Sequence, residues 1–510
     1  MRAGTCGVGY DVRMFRLSCL VLLASVAVLA QQALPVFEPM QPDVLGAGSN
    51  FTNAFADYDN DGDLDMFVGF DGKPNRLYRN DKGVFTDVAA EVGVADARPT
   101  RAAAWADFDA DGDPDLLLGF TPLPPSPEAS ARQAASVLKL YRNNNGSFAD
   151  ATGESGLMVA TGAVRQPAWI DFDADGDLDL FIAFRDRGNA LYRNDAGKLT
   201  DIASSIGLAD TRRTVGAVWF DYDEDGDLDV AVANMDGDAN GLFRNDAGKF
   251  TDAAMAAGVA WGGRAPKSPA NGTVRVCAAD VDSDGKFDLF AANYGPLGFF
   301  SNRGKGAFED RSSNWEIAID SRYDACAFAD FDHDGRLDLY VNGTVTGGVS
   351  WQDSLFRNTG RTFTDVTPPS IRRLQADHGV TWADVDGDAD LDLALTGSRT
   401  DGTHVVMRNM LPAADAARGL HVRVVDGKGK ATRAGAEVRV FAAGGTRLIG
   451  SRLVDSGSGY DAQNDMPVHV GIPTGVTRVD VQVIVPAGGK RTPVWQRGVT
   501  LGKTITVRTN

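Results

Sequence analysis

Along most of the chain, dense acidic clusters alternate with short apolar runs. The stretch "DYDNDGDLDMFVG" at 57–69 puts aspartate at every second position and then turns apolar at Met66. The same pattern returns as "DFDADGDPDLLLG" from 107, "DFDADGDLDLFIA" from 171, "DYDEDGDLDVAVA" from 221, "DVDSDGKFDLFAA" from 280, "DFDHDGRLDLYVN" from 330 and "DVDGDADLDLALT" from 384. Successive copies are 50, 64, 50, 59, 50 and 54 residues apart, the mark of one supersecondary unit repeated with loop insertions. Each cluster is preceded by a strand of small and aromatic residues such as "AAAWA" or "GAVWF". It is followed by an apolar strand, an "LYRN" strand and an "FTD" strand. Four short strands per repeat predict the blade of a β-propeller.

The expected fold is therefore all-β: a signal peptide at 1–30, a seven-bladed propeller over 31–412, a linker at 413–417, and a small β-sandwich-like domain over 418–510. The last blade has "VMRN" at 406–409 but no "FTD" strand, while "VFEPM" at 36–40 precedes the first blade without one of its own. Strand exchange between the two ends would leave no open edge, with Phe37 standing in the last blade where Phe85 stands in the first. Trp105, Trp169, Trp219 and Trp382 each lie two residues before a cluster and are read as packing between blades.

The chemistry of the clusters follows from their spacing. Aspartate at positions 1, 3, 5 and 9, with a backbone carbonyl at position 7, lets one turn wrap oxygens around a hard cation. Outside a cell that cation would be Ca²⁺, with up to seven bound. The first loop supplies Asp57, Asp59, Asp61, Asp63 and Asp65, and the second Asp107, Asp109, Asp111, Asp113 and Asp115. Asp171, Asp173, Asp175, Asp177 and Asp179 form the third, and Asp221, Asp223, Asp225, Asp227 and Asp229 the fourth. The fifth has Asp280, Asp282, Asp284, Lys286 and Asp288, and the sixth Asp330, Asp332, Asp334, Arg336 and Asp338. Asp384, Asp386, Asp388, Asp390 and Asp392 complete the set. Position 6 needs a left-handed backbone and is glycine in every copy but the last, where Ala389 predicts a strained or weaker site. An EF-hand is excluded, because position 12 is Val68, Leu118 or Ile182 in a β-rich run rather than glutamate. His333, at variable position 4 of the sixth loop, is expected to face solvent.

Charge sharpens this picture. Residues 418–510 carry a net +8, whereas residues 31–417 carry −29. An acidic excess of that size repels itself unless cations offset it, and it makes nucleic acid an unlikely partner. Near the N-terminus, Arg13 and Arg16 precede an apolar run ending in Val28, Leu29 and Ala30, which reads as a secretory leader. No later stretch is long and apolar enough for a membrane span, so the product is expected to be secreted: extracellular, periplasmic or at the cell surface. Of the cysteines, Cys277 and Cys326 remain after the leader, three and four residues before their loops. That offset places them on opposite strand faces and favours two buried thiols, with a disulfide as the alternative.

The "DxDxDGxxDL" loops followed by "LYRN…FTD" resemble the FG-GAP and VCBS repeats of integrin α-subunit propellers. "GAEVRVFAAGG", "SGSGYDAQND" and "VHVGI" resemble the ASPIC/UnbV domain. The combination is similar to the cartilage acidic protein family, including its bacterial members. The resemblance implies a calcium-binding extracellular protein engaged in binding or cell adhesion, integrin-like in its propeller.

A ligand face is sought where blades differ. Six residues before each loop stand Phe51, Arg101, Arg165, Val215, Val274, Asp324 and His378, with Arg213 and Arg275 close in register. Arg101, Arg165, Arg213, Arg275 and His378 are the candidate ligand-binding residues, at the end of the propeller away from the aspartate loops. The bland alternative is that these arginines pair with nearby acids such as Asp324 and Asp377. No catalytic residue is identified: nucleophile motifs, a zinc-type histidine pair and a phosphate loop are all missing from the sequence. The leading reading is a monomeric binding or adhesion protein with an extracellular glycan or protein ligand. The alternative is a carbohydrate-active enzyme, such as a polysaccharide lyase, built on the same propeller.

Overall fold

The computed structural model describes Met1, Gly4 and residues 34–122, 136–266, 268, 270–346, 349–374, 378–397, 404–455, 463 and 467–509. The expected signal peptide lies almost wholly outside these described residues. No helix among them is long and apolar enough to cross a membrane.

Each of the first six repeats folds as four antiparallel strands in chain order, for example Asn50–Ala56, Asp65–Phe70, Arg76–Asp81 and Val84–Asp87. Two successive units share one sheet, because Tyr294, Gly295 and Pro296 pair with Arg322, Ser321 and Asp320. The first strands of the units are Asn50–Ala56, Thr100–Ala106, Val164–Ile170, Thr214–Phe220, Gly272–Ala279, Asp320–Ala329 and Val380–Ala383. Each contacts the next, and the last returns to the first. The result is a β-propeller with these strands around its axis. Small side chains such as Ala54, Ala102, Ala168, Ala217 and Ala325 are buried on them, which lets the strands crowd together. The tryptophans lie between units: the Trp219 ring meets Phe181 of its own neighbour and Phe250 at 5.6 and 5.9 Å.

The ring closes by strand exchange. Phe37–Pro39 adds to Val405–Asn409, with Phe37 opposite Asn409 just as Phe85 is opposite Asn80. Phe37 is buried between Phe331 and Trp382, at 6.4 and 6.1 Å.

The chain then makes one helical turn, Ala413–Ala416, where a linker was expected. Beyond it a three-stranded sheet (Val468–Gly471, Gly419–Val425, Lys503–Arg508) faces a four-stranded one (Leu448–Leu453, Glu437–Ala442, Arg478–Pro486, Arg491–Thr500). Alternate residues such as Val422, Val438, Val440, Val481 and Val483 fill the core between them, as period-two patterning requires.

Cys277 and Cys326 are joined by a disulfide with Cα atoms 6.3 Å apart, contrary to the thiol expectation. The expected opposite facing is the reason they meet. They lie on first strands of neighbouring units, and neighbouring blades pack one face against the other's opposite face.

Candidate metal centre

In the aspartate loops the backbone hydrogen-bonds to the first carboxylate, through one oxygen in the first loop and through both at Asp330 and Asp384. The Gly62 N–H donates to Asp57 Oδ2 at 3.1 Å, and Asp63 N–H donates to Asp61 Oδ1 at 2.9 Å. Gly112, Gly226, Gly285 and Gly335 repeat the first bond to Asp107, Asp221, Asp280 and Asp330. Two left-handed residues allow the wrap. One is the expected glycine at position 6, with φ 100° at Gly62; in the last loop Ala389 takes φ 79° there. The second is position 4, which the sequence did not mark: Asn60, Ala110, Ala174, Glu224, Ser283 and His333 all have φ between 56° and 63°.

The aspartate at position 9 opens the second strand of its unit and ties it to the loop and to the third strand. Asp65 accepts from Tyr58 N–H at 3.1 Å through one oxygen and from Asn80 N–H at 2.8 Å through the other. Burial, with help from the other aspartates, pushes Asp65, Asp115 and Asp288 up to about 8 and Asp179 and Asp229 up to about 9. At position 7 the side chains of Asp63, Asp113, Asp177 and Asp227 turn away to accept from Lys82, Asn145, Ala196 and Ala247 N–H groups of the following hairpin. Lys286 and Arg336, at the same position, pair with Asp284 and Asp334. This leaves the position-7 carbonyl as that residue's contribution to the centre.

What remains in the loop interior are carboxylate oxygens with no hydrogen-bond partner: Oδ1 of Asp57 and Asp59, of Asp107 and Asp109, of Asp221 and Asp223, and of Asp280 and Asp282. Oxygens of Asp57, Asp59 and Asp61 lie within 4.8 Å of one another, as do those of Asp107, Asp109 and Asp115, and of Asp171, Asp173 and Asp179. Buried, unpaired and convergent carboxylates are costly unless a cation sits among them. An all-oxygen donor set with one backbone carbonyl suits a hard divalent ion. The seventh loop departs from the others: its Asp390 turns a buried carboxylate inward without a partner, raised to about 8 chiefly by burial.

The asparagine of each "RN" strand holds the ring together, a role the repeat marker signalled but the sequence reading did not use. Asn80 donates through Nδ2 to Leu64 O of its own loop and to Val385 O of the preceding loop, at 2.9 and 2.8 Å. Asn143, Asn194, Asn245, Asn302, Asn358 and Asn409 reach back likewise to the carbonyls of Tyr58, Phe108, Phe172, Tyr222, Val281 and Phe331.

The basic C-terminal sheets lie over this loop end. Arg491 pairs with Asp221 at 2.7 Å, Arg433 with Asp171 at 3.4 Å and Arg452 with Asp330 at 3.8 Å. Gln463 enters between first strands, its Oε1 accepting from Trp105 N–H at 2.6 Å. His333 is consequently buried against this domain rather than solvent-facing, its Nδ1 2.9 Å from Asp415 O. The charge asymmetry between the two regions was the one sequence signal of this docking.

At the other end of the axis, residues six before the first six loops fall at β-bulges, whereas His378 lies two residues before its strand, Val380–Ala383. Pairing skips Phe51, Arg101, Val274 and Asp324, and also Arg165 with Gln166. A bulge re-aims a side chain out of the ladder. Arg101 stacks over Phe51 at 5.1 Å, His378 meets the Phe51 ring at 5.3 Å, and His378 Nδ1 lies 3.7 Å from Asp324. Burial, then the charges of Arg101 and Arg165, hold His378 well below its ordinary range. The two remaining candidates sit elsewhere. Arg275 is one residue past its bulge, back in the ladder, and is buried with its guanidinium on Ala217 O at 2.8 Å. Arg213 lies outside the strand, half exposed beside Asp236 and Asp238 at 3.6 and 3.7 Å.

A family model described as "FG-GAP-like repeat" matches residues 35–118, 171–232, 221–291 and 280–341, together half of the chain. Cartilage acidic protein 1 of Homo sapiens is 27% identical over 372 residues, 66% of this chain and 53% of that protein. The chain thus spans about half the length of the human relative. The protein of the same name from Xenopus tropicalis is 26% identical over 493 residues, 87% of this chain and 72% of that one. Among solved structures, BBS1N in complex with ARL6DN aligns at 8% identity with a TM-score of 0.46, over 75% of this chain and 99% of that one.

Proposed function

Since this chain belongs to the FG-GAP-like repeat family, we propose that it is a secreted, calcium-stabilised binding protein whose ligand face is the propeller end away from the aspartate loops. One observation carries the choice of face: residues of the C-terminal domain cover the loop end, through Arg433, Arg452 and Arg491. That domain, similar in sequence to ASPIC/UnbV domains, then serves as a lid over the metal centres. The calcium reading rests on the unpartnered inward oxygens of the loops. Asp57, Asp59 and Asp61 with the carbonyl of Asp63, and their counterparts in later loops, would hold the ion, which supplies the positive charge that lets these carboxylates stay buried.

At the end away from the loops, bulges hold Arg101 and Arg165, and His378 meets the Phe51 ring. Two guanidinium groups near an aromatic ring and a neutral imidazole suit an acidic or polar glycan, or a protein surface of like chemistry. The test is retention of the full chain, in calcium, on a panel of sulfated and carboxylated polysaccharides, with cleavage scored in parallel. The Arg101→Ala/Arg165→Ala double variant should lose retention at least tenfold while keeping its calcium-dependent melting temperature. Ligand footprints confined to the aspartate-loop end would refute the assignment of the face, and turnover of a retained polysaccharide would favour the enzymatic alternative.

A further inference from the structure

The chain has five histidines, and three of them, from the sixth aspartate loop and two separate strands of the C-terminal domain, meet in one buried place. His421 and His469 are directly opposite one another in the pairing of Gly419–Val425 with Val468–Gly471. Their ring centroids are 5.1 Å apart, and the His333 ring lies 5.0 Å from that of His469. Nε2 of His333, Nε2 of His421 and both ring nitrogens of His469 have no hydrogen-bond partner, although all three side chains are buried. The Ala389 backbone lies beside His469 as a weak polar neighbour.

We propose that His333, His421 and His469 form a binding site for a divalent transition-metal ion of the zinc class, at the junction of the sixth loop and the C-terminal domain. Burying four imidazole nitrogens without partners is costly, and a shared ion is the partner that would satisfy several together. His333 already has the arrangement of a metal ligand: its Nδ1 faces the Asp415 carbonyl at 2.9 Å, which fixes the proton there and leaves Nε2 as a lone-pair donor. Asp384 Oδ2 stands 3.9 Å from His421 Nε2. That oxygen belongs to the seventh aspartate loop and accepts from Ala389 N–H at 3.0 Å, so three imidazoles and a water would complete a tetrahedral ion. Nitrogen donors select zinc, copper or nickel over the calcium suited to the all-oxygen loops. Of the cations acting on the cluster, Arg452 is engaged by Asp330 at 3.8 Å and Arg418 by Asp415. A cavity of about 140 Å³ bounded by His469, Asp330, Arg452 and the disulfide gives the ion a way in. Since His333 belongs to the propeller and His421 and His469 to the C-terminal domain, the ion would fasten one to the other.

The experiment uses the full chain, stripped by chelator and then saturated with calcium, with zinc added alone in competition with a chromophoric chelator. One zinc per chain is expected. His421→Asn and His469→Asn should each weaken binding by more than about 100-fold, beyond what loss of an outer partner causes. His404→Asn, at a histidine outside the cluster, should leave it unchanged. Without zinc, the variants should melt as wild type does in calcium. Cobalt substitution needs no variant, and wild type should then show the intense visible band of a tetrahedral site. Absence of stoichiometric zinc, absence of that band, or equal affinity in the two cluster variants would overturn the proposal.

Discussion

At the scale of single residues, the aspartate loop is a backbone problem solved twice and a charge problem left over. Positions 4 and 6 both adopt left-handed conformations; six loops give glycine to position 6 alone, while the seventh has Gly387 at position 4 and Ala389 at position 6. Ala174, at φ 63°, sits where an L-residue costs about 1–2 kcal/mol and nothing in its side chain repays this. Ala174→Gly should therefore raise stability by about 1 kcal/mol, read as a higher urea midpoint at unchanged slope. The cost of carboxylate loss should be uneven: Asp173→Ala, in a regular loop, should lower the melting temperature in calcium more than Asp388→Ala beside Ala389. Equal losses would show that the seventh loop is as strong as the others.

Between elements, the ring is held by asparagine side chains and one exchanged strand. Asn194 donates to Leu178 O at 2.9 Å and to Phe108 O of the preceding unit at 2.8 Å, while its own carbonyl accepts from Gly197 N–H. Its replacement by alanine strands two buried carbonyls, so Asn194→Ala should cost about 2–4 kcal/mol in chemical denaturation. Phe37→Ala should cost a similar amount, about 3–5 kcal/mol, by emptying the space between Phe331 and Trp382. It should also loosen the strand that covers the edge of the last unit, detectable as concentration-dependent association.

For the whole molecule, charge decides stability. Asp179 and Asp229 are pushed up to about 9, and Asp65, Asp115 and Asp288 to about 8, so the metal-free fold binds protons that the unfolded chain has released. Metal-free stability should accordingly be greatest near pH 4 and fall as pH rises through 8. Calcium requires ionised carboxylates, so its stabilisation should grow over the same window. Melting curves at pH 5 and pH 8, in chelator and in calcium, check both slopes. A chelator that leaves the pH 8 curve unchanged would remove calcium from the account of the fold.

The repeat unit, the four strands within it, the aspartate turns and the exchanged strand at the ends were all legible in the sequence, because each depends on local periodicity and on residues at fixed offsets. The pairing of Phe37 with Asn409 needed only the observation that one blade lacked a strand and another segment had one to spare. What the sequence left open lies where separate units face one another. Opposite strand faces seemed to part Cys277 from Cys326, yet blade stacking brings opposite faces together. Arg275 is close in register to Arg101, yet the one-residue bulge falls at Val274 in one unit and at Arg101 in the other, which leaves Arg275 in the ladder and Arg101 out of it. His333 seemed a solvent-facing loop residue, and the docked domain buried it beside His469 and His421. Offsets along a chain determine which face a residue takes, but only the packing of distant segments determines what that face meets.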